Sequence, residues 1–201
     1  MFSILFSSCH LGLEDSYEFV PTYEVIPGFG AKTAWEWLQE EAGNEDLEFM
    51  RAVIEKTELI DEYNSKDEQK TFFLIIDSAL NLLMTVELGK TGSDDFYVFL
   101  DSLDSSDLDK LRNLIAYHIL NEFVDQGNQQ LSDINTSYYF ETLSQDPSNK
   151  EIELSKSFDL TIHINRAYSP NGRSTFVRRH NYVFSNENAV AHVIYNYVKA
   201  N

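Results

Sequence analysis

TFFLIIDSALNLLMTVEL, residues Thr71–Leu88, is the stretch on which the fold turns. A continuous apolar run is either a buried helix or buried strand, and periodicity alone does not separate the two. Its length and the section Ala79-Leu80-Asn81-Leu82-Leu83-Met84 favour a helix at the core of the molecule.

Working outward, Glu45–Glu62 has an apolar stripe at helical spacing, made by Leu47, Met50, Val53 and Ile54. Glu48, Glu55, Glu58 and Glu62 lie on another face. Lys32–Ala42 predicts a shorter helix, stopped by Gly43 and Asn44, with Asn44 capping the next one. Further upstream, Pro27–Gly30 is a turn. Tyr17–Ile26, interrupted by Pro21, suits an edge strand or extended arm, and Phe2–Phe6 a short strand.

Downstream, Asp95–Leu103 reads as a strand. Ser106 then caps a helix with Asp109 three residues on, and Asp107 and Asp109 complement the positive end of its dipole. Leu108, Leu111, Ile115, Ile119 and Phe123 carry its stripe to Gly127. Residues 127–157 are polar and loop-rich. Phe158–Tyr168 and Ser174–Phe184 flank Pro170-Asn171-Gly172, which is hairpin chemistry. If Ser169 sits opposite Arg173, Ile164 faces Arg178 and Ile162 faces His180. Phe158, Leu160, Ile162, Ile164, Phe176, Tyr182 and Phe184 then share a packed face. Asp159, Thr161, His163, Asn165, Arg179 and Asn181 share a wet one. Asn188–Lys199 closes the chain as a short helix. The expected fold class is α+β, with a mainly helical acidic body carrying short strands over residues 1–145. A C-terminal antiparallel β-hairpin with a terminal helix follows over residues 146–201, either as a separate unit or continuous with the body.

The charge is unevenly spread. Residues 1–161 hold 32 Asp/Glu against 10 Lys/Arg, while residues 162–201 hold Glu187 alone against Arg166, Arg173, Arg178, Arg179 and Lys199. The net charge of −18 exceeds the roughly 2–8 charges that keep a small domain soluble. Phosphates would be repelled by such a body, so direct nucleic-acid binding is disfavoured outside the C-terminal part. With 43% hydrophobic residues the chain is not a disordered acidic tail. The single cysteine, Cys9, allows no internal disulfide and fits a reducing compartment. Phe2–Phe6 is too short and lacks the basic flank of a signal peptide, and the same defects count against lipoprotein processing at Phe6–Cys9. No run approaches the ~18 apolar residues of a membrane span, so the expected location is the cytoplasm.

Motifs for chemistry are weak. A calcium loop starting at Asp101 would put Leu103 and Ser106 where a ligand and a glycine are needed. Gly92-Ser93 before Asp94-Asp95 is too tightly spaced for a nucleotidyltransferase, and Gly89-Lys90-Thr91 lacks the upstream glycine of a phosphate loop. Cys9-His10 has no partners at zinc spacing. No cofactor or metal is expected.

The composition therefore points to a non-enzymatic acidic protein that binds and blocks a basic surface. Proteins whose positive clefts hold nucleic acid are the natural targets: nucleases, and restriction or CRISPR effectors. Toxin-neutralising immunity proteins use the same electrostatics. The acidic contact set is Glu36, Glu40, Glu48, Glu55, Glu58, Glu62, Asp94, Asp95, Asp101 and Asp104. Aromatic anchors would come from Trp35, Trp37, Tyr97, Tyr138 and Tyr139. A second reading is a small phosphate-ester enzyme using His163, His180, Arg178 and Arg179. A third is an assembly subunit, including a homo-oligomer joined through the basic hairpin.

Overall fold

The computed structural model describes residues 28–91, 94–127, 131–147, 150–166 and 173–199, without the side chains of Arg179, His180, Asn181 and Glu187. The expected strand at Phe2–Phe6, the arm at Tyr17–Ile26, and Cys9 and His10 lie outside these residues.

Helix α1 (Ala34–Glu41) starts on a reciprocal cap. Thr33 Oγ1 accepts from the Glu36 N–H at 3.1 Å, and Glu36 Oε2 accepts from the Thr33 N–H at 2.8 Å. The expected helix over Glu45–Glu62 is two helices, α2 (Glu48–Lys56) and α3 (Ile60–Tyr63). The break comes where Glu58 takes a left-handed φ of 56°. Asn44 does not cap α2, whose N-cap position is Leu47.

Thr71–Leu88 also divides. Lys70–Ile75 is strand β1, buried at all six positions, and Asp77–Leu88 is helix α4, closed by Gly89 at φ 76°. The run carries no strand-like alternation because β1 is covered on both faces, the usual pattern of a parallel neighbour. Asp95–Leu103 is mainly helix, not strand. Asp95 accepts from the N–H groups of Tyr97 and Val98 and starts α5 (Phe96–Ser102). Asp104, not Ser106, caps α6 (Ser105–Ala116). That helix ends well short of Gly127, and Ile119–Leu120 leave it as strand β2.

The polar region 127–157 contributes β3 (Ser137–Glu141) and β4 (Glu151–Lys156). The hairpin strands are β5 (Ile162–Ile164) and β6 (Thr175–Phe184). Their antiparallel pairing was expected, but the register differs by three residues: Ile164 lies opposite Thr175 and His163 opposite Phe176. Strand β5 ends at Ile164, before Asn165 at φ 55°, and the expected turn at Pro170-Asn171-Gly172 lies outside the described residues. The face assignments change accordingly. Phe158 is 82% exposed, whereas Asn165 is buried and bonds to Tyr117 Oη and the Glu153 N–H. The terminal helix is also corrected, because Ala189–Ile194 is strand β7. Every residue of that strand is buried, so it shows no strand alternation and the apolar Val190 and Ile194 mimic a helical stripe.

The fold is α+β. The strands form one sheet in the order β2-β1-β7-β6-β5-β4-β3, in which β7 runs parallel to β1 and the other pairings are antiparallel. The sheet draws strands from both sides of residue 145. Its ends nearly close: Leu120 bridges Thr142, and the Leu143 N–H donates to the Ile119 carbonyl at 2.9 Å. Helices α1, α2 and α4 bury Trp37, Met50 and Leu83 in the core that also contains the sheet residues Phe72, Phe73 and Val193. No helix among the described residues is long and apolar enough to cross a membrane.

The ring of Tyr63 stacks on Phe72 at 4.4 Å, but its buried hydroxyl has no hydrogen-bond partner among the described residues. Tyr63→Phe keeps the packing and removes the stranded oxygen, so it is expected to raise stability by about 1 kcal/mol. The denaturant midpoint should rise with an unchanged slope, and a lowered midpoint would mean the hydroxyl is satisfied.

Candidate functional site: an acid-ringed tyrosine and a basic cleft

Many of the expected contact acids also hold the structure together. Asp95 and Asp104 are helix caps. Asp94 accepts from the Thr91 N–H at 2.8 Å, which keeps its carboxyl below the usual range. The Thr33 N–H does the same for Glu36. Glu40 pairs with Lys32 at 2.5 Å, Glu62 with Lys70 at 2.9 Å, Asp101 with Lys56 at 2.9 Å and Glu58 with Arg112 at 3.8 Å. Glu48 and Glu55 are exposed on α2. Such pairs at the surface contribute little to stability, and the acids remain at the surface or half-buried there.

The aromatic set separates sharply. Trp37 is 2% exposed and lies against Phe29, Tyr182 and Phe184, so it is core and not an anchor. Trp35 is half-buried against the same core. Tyr138 donates from its hydroxyl to Asp133 at 3.2 Å, and Tyr139 is exposed on β3. Tyr97 has the most developed setting. Its ring packs edge-on to both Phe49 and Phe96, which are themselves stacked 3.8 Å apart. It is nevertheless 43% exposed, and its neighbour Val98 is 69% exposed.

Three elements bring acid to Tyr97. Glu48 comes from α2, Asp77 from the start of α4 and Asp95 from the cap of α5. Partial burial pushes the phenol up, and Glu48, Asp77 and Asp95 push the same way, against Arg51. Asp77 is half-buried, accepts from the Phe49 N–H at 2.9 Å and has its carboxyl raised, first by burial and then by Glu48 and Asp46. On the other side of Tyr97 an open groove of about 460 Å³ runs along α2 and α5, past Glu55 and Asp101 but also Arg51 and Lys56. The convergence depends on how α2 packs on α4 and α5, and nothing in the linear spacing of these acids signals it.

The second feature follows from the shifted hairpin register. His163, expected on the opposite face from Arg178, shares a cleft of about 440 Å³ with Arg178 and Arg166. The Arg178 guanidinium lies 4.4 Å from the Phe176 ring centre and 5.4 Å from that of Tyr195. His163 Nε2 is 3.2 Å from Ser157 Oγ, and that hydroxyl donates to Asp159. Serine, not histidine, is therefore the middle member of this chain, which is not the nucleophile–base–orienter order of a triad. Burial holds the His163 imidazole below its ordinary pKa, with Arg166 acting the same way. The side chains of His180 and Arg179 are outside the described set. Among the described residues no group of three or more His, Cys, Asp or Glu side chains is placed to hold a metal ion.

The chain matches no protein-family profile and no curated protein. It does resemble a solved structure, the FAS1 domain pair from the insect cell adhesion molecule Fasciclin I. The TM-score is 0.59 at 11% identity, over 84% of this chain and 51% of that one. This chain thus spans about half the length of that structure, and the likeness is one of fold.

Proposed function

We propose that this chain is a non-enzymatic binding module that docks a basic protein surface through the face around Tyr97. The observation that carries the reading is an exposed aromatic ring, fixed from behind by Phe49 and Phe96, with carboxylates from three helical elements around it. A rigid aromatic anchor loses little entropy on binding and is the residue type that dominates interface energies. The surrounding acid speeds encounter with a positive partner and rejects acidic ones. A net charge of −18 favours partners with strongly basic clefts, such as proteins that hold nucleic acid. Fasciclin I is described as a cell adhesion molecule, so a binding role has a precedent on this fold in that protein.

The test compares immobilised wild type with Tyr97→Ala and with the triple variant Glu48→Gln, Glu55→Gln, Asp101→Asn, which spares the helix caps. Each is exposed to host lysate at low and high salt. A basic protein held by wild type at low salt, released by high salt and lost from both variants is the expected result. Tyr97→Ala should weaken that complex about 30-fold and the triple variant should slow association about tenfold. Equal retention by all three proteins would remove this face from the reading.

A further inference from the structure

We infer that the cleft between β5, β6 and the end of β7 is a binding site for a small phosphomonoester that carries hydroxyl groups. The chain carries 33 carboxylates against 15 Lys/Arg, yet basic side chains gather on this wall. Elsewhere in the C-terminal part Lys199 pairs with Glu87 at 2.7 Å, and Arg173 lies 4.5 Å over the Tyr197 ring, whose hydroxyl bonds Glu87. Arg166 and Arg178 have no salt bridge among the described residues, yet both line the same cleft. The nearby acids are engaged: Glu153 accepts from Ser137 Oγ at 2.7 Å, and Asp159 accepts from Ser157 and the Thr161 N–H.

The rest of the lining fits the same ligand class. Arg178 is held against Phe176 and Tyr195, which positions its fork before any ligand arrives. Ser174 and Thr175 add hydroxyls on the same wall. Two guanidiniums supply up to ten N–H donors, more than the two oxygens of a carboxylate can accept. The three terminal oxygens of a phosphomonoester accept more of them. Phe176 and Tyr195 beside the hydroxyls of Ser174 and Thr175 offer the organic part of an ester a wall that is part apolar and part polar. A sugar phosphate and a nucleoside monophosphate share this chemistry.

Calorimetric titration with inorganic phosphate, ribose 5-phosphate, ribose and adenosine monophosphate tests the site. Saturable binding of at least one ester, tighter than inorganic phosphate, is expected, and which ester binds better identifies the source. Arg178→Ala should weaken it at least tenfold. Arg178→Lys, which keeps the charge but not the fork, should fall between the two. Circular dichroism checks that each variant folds. The inference is overturned by no saturable heat with either ester, by esters binding no tighter than inorganic phosphate, or by unchanged binding in the Arg166→Ala, Arg178→Ala double variant. Concentration-dependent self-association that is lost in that double variant would also overturn it, by giving the cleft to the acidic face of a second copy.

Discussion

Trp37→Ala is expected to destabilise the protein by about 3–5 kcal/mol, and Trp35→Ala by far less. The two tryptophans are two residues apart on α1, so a helical step of about 100° each places them on different sides. Trp37 enters the core, where its ring centre lies 5.1 Å from that of Tyr182 and 5.6 Å from that of Phe184 on β6. It also lies 5.8 Å from Phe29, which itself stacks on Phe184 at 5.1 Å. Truncation therefore opens a cavity and removes several aromatic pairs at once, each worth roughly 0.5–1.5 kcal/mol beyond its buried area. For a chain of this size the thermal midpoint should fall by about 10 °C. Equal midpoints for the two alanine variants would contradict the core placement of Trp37. The contrast also bears on interface mapping, since any binding lost in Trp37→Ala reports a damaged fold.

The amphipathic α1, the first part of the Glu45–Glu62 helix and the antiparallel pairing of the hairpin show the period their environment imposes. Helix α5 does not, although Tyr97 and Val98 are exposed, because Phe96-Tyr97-Val98-Phe99-Leu100 is a run of largely β-favouring side chains. Strands with both faces dry were equally illegible. Lys70–Ile75 and Ala189–Ile194 lie side by side at the centre of the sheet, buried throughout, so neither can display alternation. Both read as helix in sequence. The break between α2 and α3 had no signal either, because a glutamate, not a glycine, takes the left-handed conformation at position 58.

The candidate sites were legible to different degrees. The contrast between an acidic chain and a basic C-terminal stretch is a matter of counting. Which acids act together is a matter of packing, because Glu48, Asp77 and Asp95 meet at Tyr97 from three places in the chain. Asp77 carries no signal in the sequence because it sits inside the apolar run, where it accepts from the Phe49 N–H of another helix. The basic cleft was hidden by an error of three residues in register, which placed His163 and Arg178 on opposite faces.

Acidification from pH 7 to pH 4 is expected to remove about 3 kcal/mol of stability through His118 alone. This ring is fully buried and bridges two parts of the chain. Its Nδ1 is 2.8 Å from the Leu114 carbonyl on α6, and the Val198 N–H donates to its Nε2 at 3.0 Å. The second bond requires an unprotonated Nε2, so the neutral Nδ1–H tautomer is the form that fits. Burial pushes the imidazole down to about 4, although the bond to Leu114 opposes the shift. Above pH 6.5 the ring is neutral in both folded and unfolded chains, and the stabilising difference is fully present. Between 6.5 and 4 the unfolded chain takes up a proton that the folded one resists, and stability is lost progressively until pH falls through the folded value. Carboxylates titrate over part of the same range, so the informative quantity is the difference between wild type and His118→Gln. At pH 7 the variant should be less stable by about 2 kcal/mol, because one of the two backbone groups loses its partner. Glutamine does not titrate, so that gap should close near pH 5 and reverse to about 1 kcal/mol in favour of the variant at pH 4. A gap that stays constant across this range would mean the imidazole accepts a proton without cost, and His118 would then not be the buried neutral bridge between α6 and the C-terminal segment.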